Sequence, residues 1–301
     1  MNRSFGILAA CLAAVTACAT DSVAPDPSAS SEIRDGGSSN SSNNNSNSNS
    51  SGVVVVTEPD VARQPENTPP TRSWVMYTRL AGNGAFVTGP SQPPLGVGSL
   101  ALVTPTAADK VTLFNYDHVG TLLRSINAIS YATYRDPAST ATAGQLPSIN
   151  MEIDYNGSAP GGFSTLVFEP IYNPSQGAIQ NGVWQTWNAY SGIWWSTRDI
   201  PGVCATTCYV RWADIVAANP NAVIGGGFGV NQGSGNGGLS AASDALALGT
   251  SGSSVTYDFE PFRTPVTKDD CKNGGWMRLR TRDGAAFKNQ GQCVSYANHN
   301  D

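Results

Sequence analysis

"SINMEIDYNG" (residues 148–157) alternates apolar and polar side chains over eight positions and then meets an Asn-Gly pair. In an extended chain Ile149, Met151, Ile153 and Tyr155 share one side, and Asn150, Glu152 and Asp154 share the other. A helix would scatter the same residues around its axis. The stretch therefore reads as a half-buried strand closed by a tight turn. The same short-period pattern recurs upstream at 73–80, 84–89, 97–105, 110–116 and 126–135, and downstream at 164–172, 182–190, 192–198, 222–232, 244–249 and 255–261. Gly, Pro and Asn clusters divide these segments. One helix is expected, in "VRWADIVAANP" (210–220): Trp212, Ile215 and Val216 fall on one face, and Asn219-Pro220 ends it. Many short strands with a lone helix predict an all-β fold, two antiparallel sheets packed face to face in a jelly-roll-like sandwich.

The 301 residues do not all belong to that sandwich. Arg3 precedes a short apolar run, Phe5 to Ala14, too short for a spanning helix of roughly 20 residues. Val15-Thr16-Ala17-Cys18 follows and resembles the bacterial lipobox, so that 1–18 is read as a signal peptide with its lipobox; the resemblance implies cleavage before Cys18 and lipid attachment at Cys18. Ordinary cleavage after Ala19 is the alternative, since Ala17-Cys18-Ala19 also fits a small-x-small site. Residues 19–71 are expected to form a disordered linker: 38–51 is an unbroken run of Ser and Asn, and 57–71 is rich in Pro. A sandwich domain is then expected over 72–262 and a small tail over 263–301. The corresponding location is the bacterial cell envelope, at the outer membrane or cell surface as a lipoprotein, with release as a secreted protein as the alternative. Membrane contact would run through the lipid alone.

Four cysteines remain beyond the leader, and an even count in an exported chain predicts disulfides. Spacing favours Cys204 with Cys208 and Cys271 with Cys293; a zinc site lacks the paired C-x-x-C knuckles it would need. The net charge is −5 with 13% charged residues, so no basic footprint for nucleic acid exists. Charge is uneven, however: 263–301 holds seven Lys/Arg against four Asp, and the rest of the chain is correspondingly more acidic. The tail carries the pattern D-x-C-K-N-G-G-W, then F-K-N-Q-G-x-C-V-x-Y, on Asp269, Cys271 to Trp276 and Phe287 to Tyr296. This resembles the C-terminal segment of uncharacterised secreted bacterial β-sandwich proteins. The preceding domain is similar in outline to carbohydrate-binding jelly rolls, a likeness that implies a sandwich fold and glycan binding.

"VWQTWNAYSGIWWSTR" (183–198) concentrates four of seven tryptophans. Paired as a hairpin about Tyr190-Ser191-Gly192, it would put Trp187 and Trp195 in the core. Trp184, Asn188, Trp194 and Arg198 would then share the wet face, where aromatic rings beside amide and guanidinium groups suit sugar rings. These four are the candidate site for a glycan or cell-surface polymer. A glycoside hydrolase or lyase would instead need two carboxyls, about 5–5.5 Å apart for retention or 6.5–9.5 Å for inversion. Glu152, Asp154 and Glu169 are the candidates. His118 lies in a loop without a nucleophile elbow and reads as a hydrogen-bonding residue. The glycine-rich 225–238 stretch lacks the strand–turn–helix context of a dinucleotide site. No cofactor is expected; "DYNG" (154–157) and "DFE" (258–260) offer oxygens for a structural Ca2+ without a complete ligand loop. The leading expectation is non-catalytic binding of glycan; a polysaccharide-active enzyme and a structural envelope protein with a docking tail are the alternatives.

Overall fold

The alternation in 148–154 becomes a strand whose Ile149, Met151 and Ile153 have no exposed surface. The structure, a computed structural model, describes residues 50–157 and 160–299. The leader, Cys18 and the linker up to residue 49 lie outside the described residues.

In chain order the strands begin with β1 (Ser50–Val56), β2 (Val61–Pro65), β3 (Trp74–Arg79), β4 (Asn83–Thr88) and β5 (Gly98–Thr104). There follow β6 (Lys110–Asn115), β7 (Ile126–Arg135), β8 (Ser148–Asp154), β9 (Phe163–Phe168) and β10 (Trp184–Asn188). The last are β11 (Ile193–Ser196), β12 (Val210–Arg211), β13 (Val223–Gln232), β14 (Leu239–Thr250) and β15 (Ser253–Phe259). The helices are α1 (Trp212–Ala218) and α2 (Gln290–His299). Two sheets result, as the period-2 pattern predicts. The seven-stranded sheet is built around β14, which pairs with β7 along one side and with β5, then β15, along the other. β10 lies beyond β7, β4 beyond β5, and β1 beyond β15. The eight-stranded sheet runs β12-β11-β9-β8-β13-β6-β3-β2.

Apolar side chains of both inner faces make one core, with Met76, Leu100, Leu113, Tyr131, Met151, Phe168, Trp187, Trp194 and Phe228 fully buried within it. Helix α1 buries Trp212 and Ile215, as its spacing predicts. Both expected disulfides are present, with Cα–Cα separations of 5.2 Å for Cys204–Cys208 and 5.7 Å for Cys271–Cys293.

Three expectations need correction. The folded part begins well before Arg72, because β1 runs parallel to β15 and β2 runs parallel to β3. Val56 and Val61 enter the core, and between them Asp60 Oδ2 accepts both the N–H and the hydroxyl of Thr57 at 2.8 Å. Residues 50–65 thus clip the edges of both sheets together, and these two pairs are parallel where antiparallel neighbours were expected. Second, β10 and β11 do not form a hairpin: β10 pairs with β7 in one sheet, and β11 with β9 and β12 in the other. Tyr190-Ser191-Gly192 crosses the sandwich instead, and Gly192 fits there because a Cβ would strike the Phe168 ring at 2.4 Å. Third, the tail contains a helix, α2. It buries Ala297 and packs Cys293 with Cys271, Leu279 and Phe287 in a small separate cluster flanked by Trp276 and Tyr296.

Candidate functional site

The crossing at 190–192 redistributes the tryptophans. Each strand faces the core by its own parity, so Trp187 points inward from one sheet and Trp194 from the other. Both are 0% exposed. Trp187 donates its indole N–H to Thr133 Oγ1 at 2.8 Å, and Trp194 donates to the Ala189 carbonyl at 2.8 Å. Trp194 packs on Phe168 and Trp212, at 5.6 and 5.5 Å between ring centres. It therefore belongs to the core, and Trp195, expected inside, is half-buried on the outer face of the eight-stranded sheet.

The four candidate ligand residues do not meet on one face. Trp184 and Asn188 lie on the outer side of the seven-stranded sheet, Trp194 is in the core, and Arg198 sits at the rim of the other sheet, 5.0 Å over the Phe163 ring. Trp184 is partly closed off: it packs on Tyr134 and donates its indole N–H to the Pro90 carbonyl at 2.9 Å. Pro90 belongs to the loop between β4 and β5, whereas β10 is on the opposite side of β14, so that loop spans the outer face. Two carboxyl groups anchor it, with a third beside them. Asp244 accepts the Leu95 N–H at 3.0 Å and the Phe259 N–H at 3.1 Å; Glu260 Oε1 accepts the Val97 and Gly98 N–H groups at 2.6 and 3.0 Å. Asp258 completes the group, and its Oδ1 is buried with no hydrogen-bond partner. Burial, with Glu260 and Asp244 nearby, raises the Asp258 carboxyl well above the usual range; burial is also the main cause that pushes Asp244 up to about 6. Beside β10 a shallow depression of about 420 Å³ remains, lined by Asn127, Ser130, Gln176, Thr186, Asn188 and Tyr190.

The outer face of the eight-stranded sheet is built differently. One registered row crosses seven strands: Trp195 faces Val167, then Asn150, Gly229, Phe114, Val75 and Ala62. The adjacent row carries Ser148, Asn231, Thr112, Tyr77 and Gln64. Aromatic rings therefore stand near both ends. At one end Trp195 lies on the strand next to β12, before which the exposed Tyr209 stacks on Tyr172 with ring centres 4.4 Å apart. The Cys204–Cys208 disulfide immediately precedes Tyr209 and ties down its loop. At the other end Tyr77, Phe114 and Tyr116 form a cluster with Val75, the two tyrosine hydroxyls 3.1 Å apart. From Trp195 on β11 to Tyr77 on β3 is five strand spacings, about 24 Å.

Between the aromatic ends, apart from Val167 and the glycines of β13, the side chains are amides, hydroxyls and carboxylates. Thr112 donates to Asn231 Oδ1 at 2.7 Å, and Ser148 donates to Asn150 Oδ1 at 2.9 Å, so these groups are mutually ordered. The glycines of β13 make room: a Cβ on Gly226 would meet Glu152 Oε2 at 2.3 Å, and one on Gly227 would meet the Phe114 ring at 2.4 Å. Glu152 and Phe114 thus lie down over β13. Glu152 Oε2 accepts the Gly227 N–H at 2.7 Å, and Glu169 Oε2 accepts the Trp195 indole N–H at 2.8 Å. Burial raises the proton affinity of both carboxyls.

As a catalytic pair, Glu152 and Glu169 are too distant. Glu152 faces Thr165 on β9, and Glu169 lies four residues further along, about 14 Å away. Asp154 shares the face of Glu152 two residues on, about 7 Å along the strand, and is bound locally through Oδ1 to the Asn156 N–H. His118 is a partly buried residue whose Nε2 lies 2.8 Å from the Tyr257 hydroxyl, and burial lowers its proton affinity. Among the described residues no group of three or more His, Cys, Asp and Glu is arranged to hold a metal ion.

Trp195, Tyr77, Phe114 and Tyr116 were not among the sequence candidates. The signal for Phe114 and Glu152 was present in "GGGFG" (225–229), since glycines inside a strand mark a close approach of other groups.

No family model matches the chain, and no curated protein matches it. Among solved structures, the chain is similar to a family 11 carbohydrate-binding module from Clostridium thermocellum in complex with a β-1,3-1,4-mixed-linked tetrasaccharide. The two are 11% identical with a TM-score of 0.32, over 58% of this chain and 88% of that one.

Proposed function

We propose that the protein binds a polysaccharide strand, without cleaving it, across the outer face of the eight-stranded sheet. The observation that carries this reading is the registered row from Trp195 to Phe114, with the partly accessible rings of Trp195 and Tyr116 toward its two ends, Tyr77 and Phe114 buried beside Tyr116, and ordered amide and hydroxyl groups between. Pyranose rings present C–H faces that stack on aromatic side chains and hydroxyls that both donate and accept, so alternating apolar and polar ground suits them. A strand lying across the sheet would reach both ends. The reading differs from the sequence expectation in its residues: Trp195 replaces Trp194, and Tyr116, backed by the buried Tyr77 and Phe114, replaces Trp184, Asn188 and Arg198.

The two disulfides support an exported protein. Attachment of lipid at Cys18 would hold such a binder at the cell envelope, and an acyl mass on Cys18 in protein isolated from cells is the corresponding check. A second reading has a narrower support, the raised proton affinity of Glu152 beside Asp154. It makes Glu152 the acid of an inverting hydrolase, whose carboxyls stand about 6.5–9.5 Å apart.

Affinity electrophoresis of the full chain against a panel of soluble polysaccharides separates these readings. Retardation by at least one polymer is expected, weakened about tenfold or more in Trp195→Ala, with no release of reducing ends. Reducing ends released by the wild type and abolished in Glu152→Gln would favour the hydrolase. Absence of retardation by every polymer would sink the binding reading.

A further inference from the structure

The proposed binding face has charge of one sign in its polar middle. Glu152 and Glu169 are both largely withdrawn from water, and each has one oxygen engaged, by the Gly227 N–H and by the Trp195 indole N–H. Among the described residues no donor reaches the second oxygen of either. Their negative field extends to the aromatic ends: Glu152 adds to the effect of burial in holding the Tyr77 and Tyr116 hydroxyls protonated, and Glu169 does so at Tyr209. The cations nearby are paired with another carboxylate or peripheral, although the Lys110 charge does reach Glu152 and partly offsets the effect of burial there. Lys110 and Arg79 both pair with Glu66, at 2.5 and 3.1 Å, and Arg198 lies at the rim over Phe163.

We propose that the face takes an uncharged polysaccharide strand, and that Glu152 and Glu169 reject strands bearing carboxylates or phosphates. The inference rests on the glycan reading above and adds the class of glycan. The second oxygen of each carboxylate accepts O–H groups of the sugar, a charge-assisted hydrogen bond roughly twice as strong as a neutral one. A uronate carboxylate placed about 6 Å from either residue would meet like charge in partly dry surroundings. At an effective dielectric of about 20, that repulsion lowers affinity roughly a hundredfold.

The test uses the full chain near neutral pH and titration calorimetry with matched pairs of oligosaccharides. Suitable pairs are a cello-oligosaccharide with its C6-oxidised uronate, and a mannan oligomer with a mannuronate of equal length. The wild type should bind the neutral member of at least one pair and bind its uronate roughly a hundredfold more weakly. Added salt should improve the uronate and leave the neutral strand unchanged. In Glu152→Gln/Glu169→Gln the ratio should collapse toward unity, because the amides keep an acceptor oxygen without the charge. Should the double variant misfold, Glu169→Gln alone, at the end of β9, should still narrow the ratio. Equal affinity for both members in the wild type overturns the proposal, and so does a ratio untouched by either substitution. If no member of any pair binds, the glycan reading itself falls; a uronate that binds alone overturns only the charge inference.

Discussion

The two outer faces of the sandwich are made from similar short side chains, yet one is crossed by a loop, while on the other, where Thr112, Ser148, Tyr77 and Phe114 are likewise buried, the described residues show no loop tie of this kind. Over the seven-stranded sheet the 89–98 loop reaches Trp184, and the carboxyls of Asp244 and Glu260 hold its amides. Over the eight-stranded sheet Glu152 and Glu169 each hold one donor. Buried carboxylates thus stand in different settings in one fold. Asp244 and Glu260 fasten a loop through its amides, Asp258 keeps an unpartnered oxygen on the same face, and Glu152 and Glu169 hold one donor each on the other. An aromatic residue is equally ambiguous until its sheet and its face are known, as Trp194 and Trp195 demonstrate from adjacent positions.

That adjacency gives the largest expected effects. Trp194→Ala removes a fully buried indole packed on Phe168 and Trp212, and should cost about 3–5 kcal/mol in urea denaturation. Trp195→Ala should cost no more than about 1–2 kcal/mol, chiefly through the hydrogen bond to Glu169, while polysaccharide affinity falls. Equal destabilisation by the two substitutions would contradict the placement of these residues on opposite faces of β11.

The covered face should show itself through pH. Asp258 has a folded-state proton affinity raised above that of the unfolded chain, with burial as the leading cause and Glu260 and Asp244 as the next. A group raised in this way contributes its stability in full below its unfolded pKa, near 3.8, and loses it as pH rises through the folded value. Asp258→Asn carries no charge at any of these pH values and does not suffer that loss. The variant should therefore gain on the wild type steadily from about pH 4 to about pH 7, by at least about 1.4 kcal/mol, the equivalent of one pKa unit. Denaturation midpoints at several pH values provide the check. A difference that stays flat or shrinks over that window would mean that Asp258 is not held against its charge. Asp244, pushed up to about 6, adds to the same downward slope in the wild type.

Much of this architecture is legible in local sequence. The alternation of 148–154, the apolar face of 212–216 and the spacing of the four cysteines each depend on neighbours in the chain, and each has its expected form. What local pattern does not contain is the partner of a strand. "WQTWNAYSGIWWS" (184–196) has the same alternation whether its halves pair with each other or cross between sheets, and only the close fit of Gly192 against Phe168 distinguishes the two. β1 is similarly hidden, because a Val run after a Ser/Asn tract gains its meaning from β15, about two hundred residues away. The tail helix was more readable: Asn289 Oδ1 accepts the Gln292 N–H at 2.9 Å, a cap three residues ahead of Gln292 that "NQGQ" (289–292) spells out. The binding face lay further from view, since its row draws single residues from seven strands.

The smallest effect tests the contrast most directly. Trp184 was, with Trp194, one of the two tryptophans that sequence pattern favoured for ligand contact, and in the structure its indole N–H is spent on the Pro90 carbonyl. Trp184→Phe keeps an aromatic ring against Tyr134 and removes that single hydrogen bond, so stability should drop by about 1 kcal/mol. Amide hydrogen exchange should quicken at Leu95, Val97 and Gly98, the loop amides held by Asp244 and Glu260, because the loop loses one of its ties. Polysaccharide affinity should not change, since the substitution lies on the opposite side of the sandwich from Trp195. If affinity falls while the loop amides exchange as before, the covered face is the one that meets the ligand, and the depression beside Asn188 and Tyr190 becomes its site.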